Sequence, residues 1–220
     1  MTRVPAQSSV VRVPAKLLSL RELPQANTAL LRSVGATGPS LAFVTCDQDD
    51  TLYAALDHAT KMAHVRVVYA RSFYAGAAHA SGPLSGEAIG VLEAADPDVL
   101  RAGLTHLKLA LDDLFAFYQL PNGATYFPTV IPACGEYLAA QAGVPPGTPL
   151  GYFIAPPTEA MIAVDAALKA ADVELVKFFG PPTETNFAGA YVTGALHSVQ
   201  AAAAAFADAV RDVAERPLTA

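Results

Sequence analysis

Residues 55–68 read ALDHATKMAHVRVV, and residues 163–176 read AVDAALKAADVELV. At an offset of 108 the two match without a gap at Ala55/Ala163, Asp57/Asp165, Ala59/Ala167, Lys61/Lys169, Ala63/Ala171, Val65/Val173 and Val68/Val176. Ala-rich helices resemble one another by composition alone. Composition does not explain a shared Asp-x-x-x-Lys spacing, nor the switch to β-branched residues at the same point. The chain of 220 residues is therefore a duplication whose unit is close to half its length.

Working outward, each copy reads alike. A short apolar strand (SLAFVTC at 40–46, LGYFIA at 150–155) precedes a helix over about 51–63 and about 158–171. Asp49, Asp50 and Thr51 open the first helix, and Thr158 and Glu159 the second; these types suit a helix start by capping and by the dipole. A β-rich strand follows (VRVVYARS, VELVKFF), then a loop of small residues, a further strand (EAIGVLEA, AYVTGAL) and a last helix. The first of these last helices starts after Asp96-Pro97, with Leu100, Leu104, Leu107, Leu111 and Leu114 on one stripe. Strand, helix, strand, strand, helix predicts an α+β fold, an antiparallel sheet with helices packed on it, twice over. The stretch SSVVRVPAKLLSLREL reads as a strand or hairpin, and ATYFPTVIPACGEYLAAQAG as a strand plus a short helix. The expected division is 1–112 and 113–220, with a linker near FYQLPNGATYF, where Pro121-Asn122-Gly123 supplies turn chemistry.

Composition narrows the function. Hydrophobic residues make up 53% and charged residues 15%, with a net charge of -6. Without a basic run or face, nucleic-acid binding by phosphate neutralisation is not expected. So little charge points instead to large subunit interfaces. The mean hydropathy of +0.34 comes largely from Ala, and no uncharged apolar run reaches the ~18 residues of a membrane span. Pro5, Pro14 and Lys16 interrupt the beginning of the chain where a signal peptide needs an apolar core. Cys46 and Cys134 are too few for a disulfide scaffold, and a cytoplasmic protein is expected.

The repeated A-x-D-A-A-x-K-A-A-D-V-E-L-V resembles the signature helix and strand of bacterial microcompartment shell proteins. Two copies in one chain are similar to the tandem-domain, trimer-forming branch of that family. The stretches DQDDTLY, VVYARSFYAGAAH, GEAIGVLEAADPDVLRAGL and PPTETNFAGAYVTG resemble its ethanolamine-utilisation type, whose two domains are circularly permuted. The resemblance implies a structural, non-enzymatic protein of a microcompartment shell. Homotrimers would form pseudo-hexamers that tile with other shell proteins into a hexagonal sheet and carry pores for metabolites. The alternatives are a tile of another compartment, for propanediol or a different amino-alcohol, and a soluble metabolite-sensing trimer.

Site residues follow residue by residue from that resemblance. Lys61 and Lys169 stand at the family's edge-lysine position, where the stem packs across the contact between tiles. Asp49, Asp50, Glu87, Phe117, Thr183 and Glu184 match positions around a small pore that takes an amino-alcohol. Carboxylates attract an ammonium group and accept its hydrogen bonds, and a ring adds cation–π attraction. Asp49 and Asp50 also read as ordinary helix-start residues. The loops 69–83 and 178–186 match segments that gate a central pore, with Tyr69, Phe73, Tyr74, His79 and Phe179 as the gating side chains.

Other chemistry finds little support. Asp47-Gln48-Asp49-Asp50 has Leu52 where a calcium loop needs Gly and His58 where it needs Glu. The histidines show no zinc spacing, and no nucleotide loop or nucleophile elbow is present, so neither metal nor cofactor is expected.

Overall fold

A computed structural model describes residues 10–73, 78, 80–181 and 183–216. In chain order the first half runs β1 (Val11–Pro14), β2 (Leu17–Leu23), α1 (Thr28–Val34), β3 (Ser40–Cys46), α2 (Asp49–Met62), β4 (Arg66–Ser72), β5 (Ala88–Ala94) and α3 (Pro97–Leu109). The second runs β6 (Ala116–Gln119), β7 (Thr125–Ile131), α4 (Glu136–Ala142), β8 (Leu150–Ala155), α5 (Pro157–Ala170), β9 (Val173–Phe179), β10 (Ala188–Gly194) and α6 (Leu196–Glu215). β2 and β7, α1 and α4, and α2 and α5 each begin 108 residues apart, the offset read from the repeat. Gly35 and Gly143 share that offset too; they end α1 and α4 at φ of 71° and 72°, a left-handed turn that glycine takes without a Cβ clash.

Both sheets are antiparallel and share one strand order. The first is β2-β3-β5-β4, and the second contains its counterpart β7-β8-β10-β9. The α+β duplication predicted from the repeat is thus the observed architecture. β1 does not hairpin onto β2; it crosses to the second sheet and pairs with β6, Val11 opposite Gln119 through Pro14 opposite Ala116. Pro121-Asn122-Gly123 forms the turn of the β6–β7 hairpin, the turn chemistry expected of it, closed by Leu120 N–H to the Ala124 carbonyl at 2.8 Å. Just before β6, α3 runs on into a π-helical segment, Ala110–Leu114, where Phe115 N–H reaches the Ala110 carbonyl. That wider turn rotates Leu114 off the stripe. Leu100, Leu104, Leu107 and Leu111 are buried, whereas Leu114 is 54% exposed.

The centre of the second sheet is buried on both faces. Every residue of β8 is buried, and successive side chains point to opposite sides. Phe153 and Ala155 face α5 and α6, where Phe153 stacks on Phe206 at 5.0 Å. Burial of each ring contributes about 1.5–3 kcal/mol. Tyr152 and Ile154 face the other way and join one continuous core with Leu52 and Leu56 of α2. The two halves therefore share apolar packing, and the start of α2 meets the Tyr152 face of β8.

Candidate functional site

Asp49 and Asp50 open α2, where the dipole favours an acid. Helix-start acids are normally solvated, but these are only 8% and 6% exposed. What covers them comes from the second half. The Tyr152 hydroxyl donates to Asp50 Oδ1, and Phe179 packs at 6.2 Å from the Tyr152 ring. A cavity of about 90 Å³ is left here, lined by Asp49, Asp50, Tyr53, Ser72, Tyr152, Ile154, Phe179, Thr183, Glu184, Thr185 and Phe187. A neighbouring cavity of about 270 Å³ is lined by Val13, Gln48, Asp49, Glu87, Phe117, Thr125 and Phe187. Asp49 and Phe187 belong to both walls.

Glu87 is placed by the residue before it. Gly86 takes φ of 66°, and a Cβ there would collide with the Cys46 carbonyl. The turn lets Glu87 N–H donate to the Cys46 carbonyl and Glu87 C=O accept from Phe73 N–H, both at 2.7 Å. Glu87 is thereby fixed at the meeting of β3, β4 and β5. On the far wall, Thr183 Oγ1 accepts from Phe187 N–H at 3.1 Å, which holds the loop before β10 against the cavity.

The electrostatics are those of acids buried close together. Burial raises the Asp49 carboxyl. Burial, and then the charge of Asp49, raise Asp50 well above the ordinary range. Glu87 is pushed up to about 7 by burial and by Asp49 and Asp47. The Tyr152 phenol is raised as well, chiefly by burial, so it remains a donor. For Glu87 the folded state holds its proton more tightly than the unfolded chain does. Its contribution to stability is therefore greatest below the unfolded value near 4.5 and is lost as pH rises toward about 7.

All six residues assigned to the small pore thus line one or other of two adjoining cavities. The sequence reading missed Tyr53, Ser72, Tyr152 and Phe187, which line the same walls. Of the gating candidates, Phe179 stands in the smaller cavity, 4.9 Å from the Tyr191 ring. Phe73 is half-buried where β4 ends. Tyr69 lies apart in a cleft with Arg71 and Tyr137. Tyr74 and His79 fall outside the described residues.

The two lysines of the repeat have diverged. Lys61 Nζ donates to the Ala133 carbonyl at 2.8 Å and stands 3.8 Å from Asp57. Among the described residues Lys169 pairs only with Asp165, and its side chain is 74% exposed against 27% for Lys61.

No helix among the described residues is long and apolar enough to cross a membrane. Comparison with known proteins gives one answer throughout. Residues 154–218 match the model of the BMC domain. The chain is 50% identical over 181 residues to the bacterial microcompartment shell protein EutL of Clostridium perfringens, covering 81% of this chain and 83% of that protein. It is 44% identical over 182 residues to EutL of Salmonella typhimurium, covering 81% and 83%. The crystal structure of the ethanolamine utilization protein EutL from Leptotrichia buccalis superposes with a TM-score of 0.91 at 42% identity, over 96% of this chain and 99% of that one. The first two relatives are named as shell proteins rather than enzymes, and the fold described above is that of the solved EutL structure. The chain belongs to the bacterial microcompartment shell proteins, as a tandem-domain member of the EutL type.

Proposed function

We propose that this structural shell protein acts as a homotrimer whose six halves form a hexagonal tile, and that its paired acidic cavities admit or bind a small amino-alcohol of the ethanolamine type. The division into halves at 112/113 is part of that proposal. The observation that carries the trimer is a contact inside the chain. Asp57 of α2 accepts from Gly135 N–H at 2.7 Å and Leu138 N–H at 2.9 Å, so the first half caps α4 of the second. The repeat counterparts are Asp165 on α5 and the Asn27–Leu30 turn of α1. These face away from each other's contacts within one chain. Leu138 is fully buried while Leu30 is 36% exposed, and no residue of α1 is buried. If α5 of one copy meets α1 of the next as α2 meets α4, six equivalent contacts alternate within and between chains. Three copies then close a ring.

The cavities lie where the two halves meet, so a trimer would carry three such sites. Asp49, Asp50 and Glu87 supply carboxyl oxygens that an ammonium group would draw toward the ionised form, and Phe117 supplies a ring face. Thr183 and Glu184 complete the polar wall. A small ammonium-bearing solute matches both the size and the sign of this enclosure. A central opening gated by Phe73, Tyr74, His79, Tyr69 and Phe179 belongs to the same proposal. Calorimetry with ethanolamine tests the site. Glu87→Gln should weaken binding about tenfold, the size of a lost charge-assisted hydrogen bond. Wild-type affinity should rise from pH 6 to pH 8 as Glu87 ionises near 7. An unchanged affinity in Glu87→Gln would remove this residue from the site.

The edge role of Lys61 and Lys169 remains within this proposal through their aliphatic stems, since the Lys61 ammonium is engaged inside the chain. Lys169→Glu should leave single tiles but no sheets in negative-stain images. Sheets of wild-type extent would contradict the assignment.

A further inference from the structure

Closing the proposed ring creates contacts of two kinds, inside each chain and between copies. The acidic cavity lies at the first kind, and the repeat names its counterparts at the second. β4 and β9 both bulge, at Val68 and Val176, so Arg71 holds the register position of Phe179. β5 and β10 begin at Ala88 and Ala188, each two residues after a turn at positive φ, Gly86 at 66° and Asn186 at 64°. Across these offsets every acid lining the cavities becomes an uncharged residue. Asp49 and Asp50 correspond to Pro157 and Thr158, Glu87 to Phe187, and Glu184 to Leu84. Tyr152 corresponds to Phe43 by sheet register, so the phenol that donates to Asp50 is missing together with its acceptor. The charge gained among these positions is Arg71, in place of the Phe179 ring.

Arg71 is exposed in the single chain. Among the described residues its guanidinium makes no hydrogen bond or ion pair, and it lies 5.8 Å from the centre of the Tyr69 ring, a contact that uses no donor. The two share a cleft of about 390 Å³ with Tyr137, Arg66 and Glu136. Arg66 is held by Glu93 at 2.6 Å, which leaves Arg71 as the cation not committed elsewhere among the described residues, with Glu136 as the acid of the cleft. The acids of α5 in the next copy have other partners. Asp165 pairs with Lys169, and Glu159 lines a groove with Asp212 and Arg216.

We infer that the contacts between copies form a second class of cleft, in which Arg71 takes a small oxyanion, a carboxylate or a phosphate. This rests on the ring reading above but not on the amino-alcohol one. A guanidinium presents a planar fork of N–H donors that matches either group bidentately. Around the ring, sites within chains then favour amines and sites between copies favour anions.

Calorimetry at low ionic strength with inorganic phosphate and with acetate tests this. The wild-type ring should bind both, and Arg71→Gln should weaken each about tenfold while leaving the ring mass and the ethanolamine affinity unchanged. A loss confined to one probe supports the inference and names the group recognised. Leu30→Asp, which should not close the ring, should lose oxyanion binding and keep the amine site. Oxyanion affinities unchanged in Arg71→Gln would overturn the inference and leave the ring standing. A ring that falls apart in Arg71→Gln would overturn it too, since Arg71 would then hold the next copy rather than a ligand. Oxyanion binding as tight in Leu30→Asp single chains as in the ring would contradict its place between copies. A wild-type protein of one chain mass would sink the ring reading, and the inference with it.

Discussion

Asp57→Ala should destabilise the folded chain by about 3–5 kcal/mol, read as a fall of roughly 10 °C in the thermal midpoint at fixed protein concentration. Asp57 is fully buried, with one oxygen on Gly135 N–H and the other on Leu138 N–H. Alanine leaves both of these donors without their acceptor and removes the carboxylate beside Lys61. Each orphaned buried donor costs about 1–3 kcal/mol. Asp57→Asn, which keeps one carbonyl oxygen, should cost less than half as much. The identical Asp165 of the repeat pairs, among the described residues, only with Lys169, and its side chain is 60% exposed. Asp165→Ala should leave the single chain's stability within about 0.5 kcal/mol, as surface changes do. In dissociated single chains, equal losses at the two positions would contradict the asymmetry between them, whereas in the assembled trimer they are what six equivalent contacts require.

Leu30→Asp should convert the trimer to single chains without unfolding them. Leu30 is the repeat counterpart of Leu138, which is fully buried against the first half. In one chain Leu30 lies at the surface of α1, so aspartate there meets water and the circular dichroism should not change. In the proposed contact with α5 of the next copy, the same carboxylate would be desolvated near Asp165. Burial of an unpaired charge costs several kcal/mol, and the ring contains three such contacts. Light scattering at micromolar concentration should therefore report one chain mass for the variant. A trimer surviving this change would show that α1 faces solvent in the assembly.

The sequence was most legible where local pattern and tertiary role agree. The strands at 40–46, 150–155 and 173–179 begin and end where the apolar or β-rich stretches read from the sequence do. β2 and β7 hold equivalent places, yet LLSLREL and TYFPTVI share no residue at the 108 offset. Sheet burial constrains which faces are apolar, not which residues supply them, and the repeat was invisible there. The acidic site was half legible. Asp49, Asp50 and Glu87 came through resemblance, but Tyr152 reads as one more apolar position in a buried strand. Its hydroxyl meets an acceptor 102 residues away in the chain. Lys61 and Lys169 carry the opposite lesson. Their local motif is identical, and the Ala133 carbonyl that separates their environments lies 72 residues from Lys61. Spacing along a helix fixes which side chains are neighbours, not what the other half of the molecule brings against them.

The tile stands or falls on how many chains close the ring, and the mass of the wild-type protein in solution measures that directly. Three times the 22.8 kDa chain mass is the value required for six alternating halves. A particle of one chain mass across the micromolar range would contradict it.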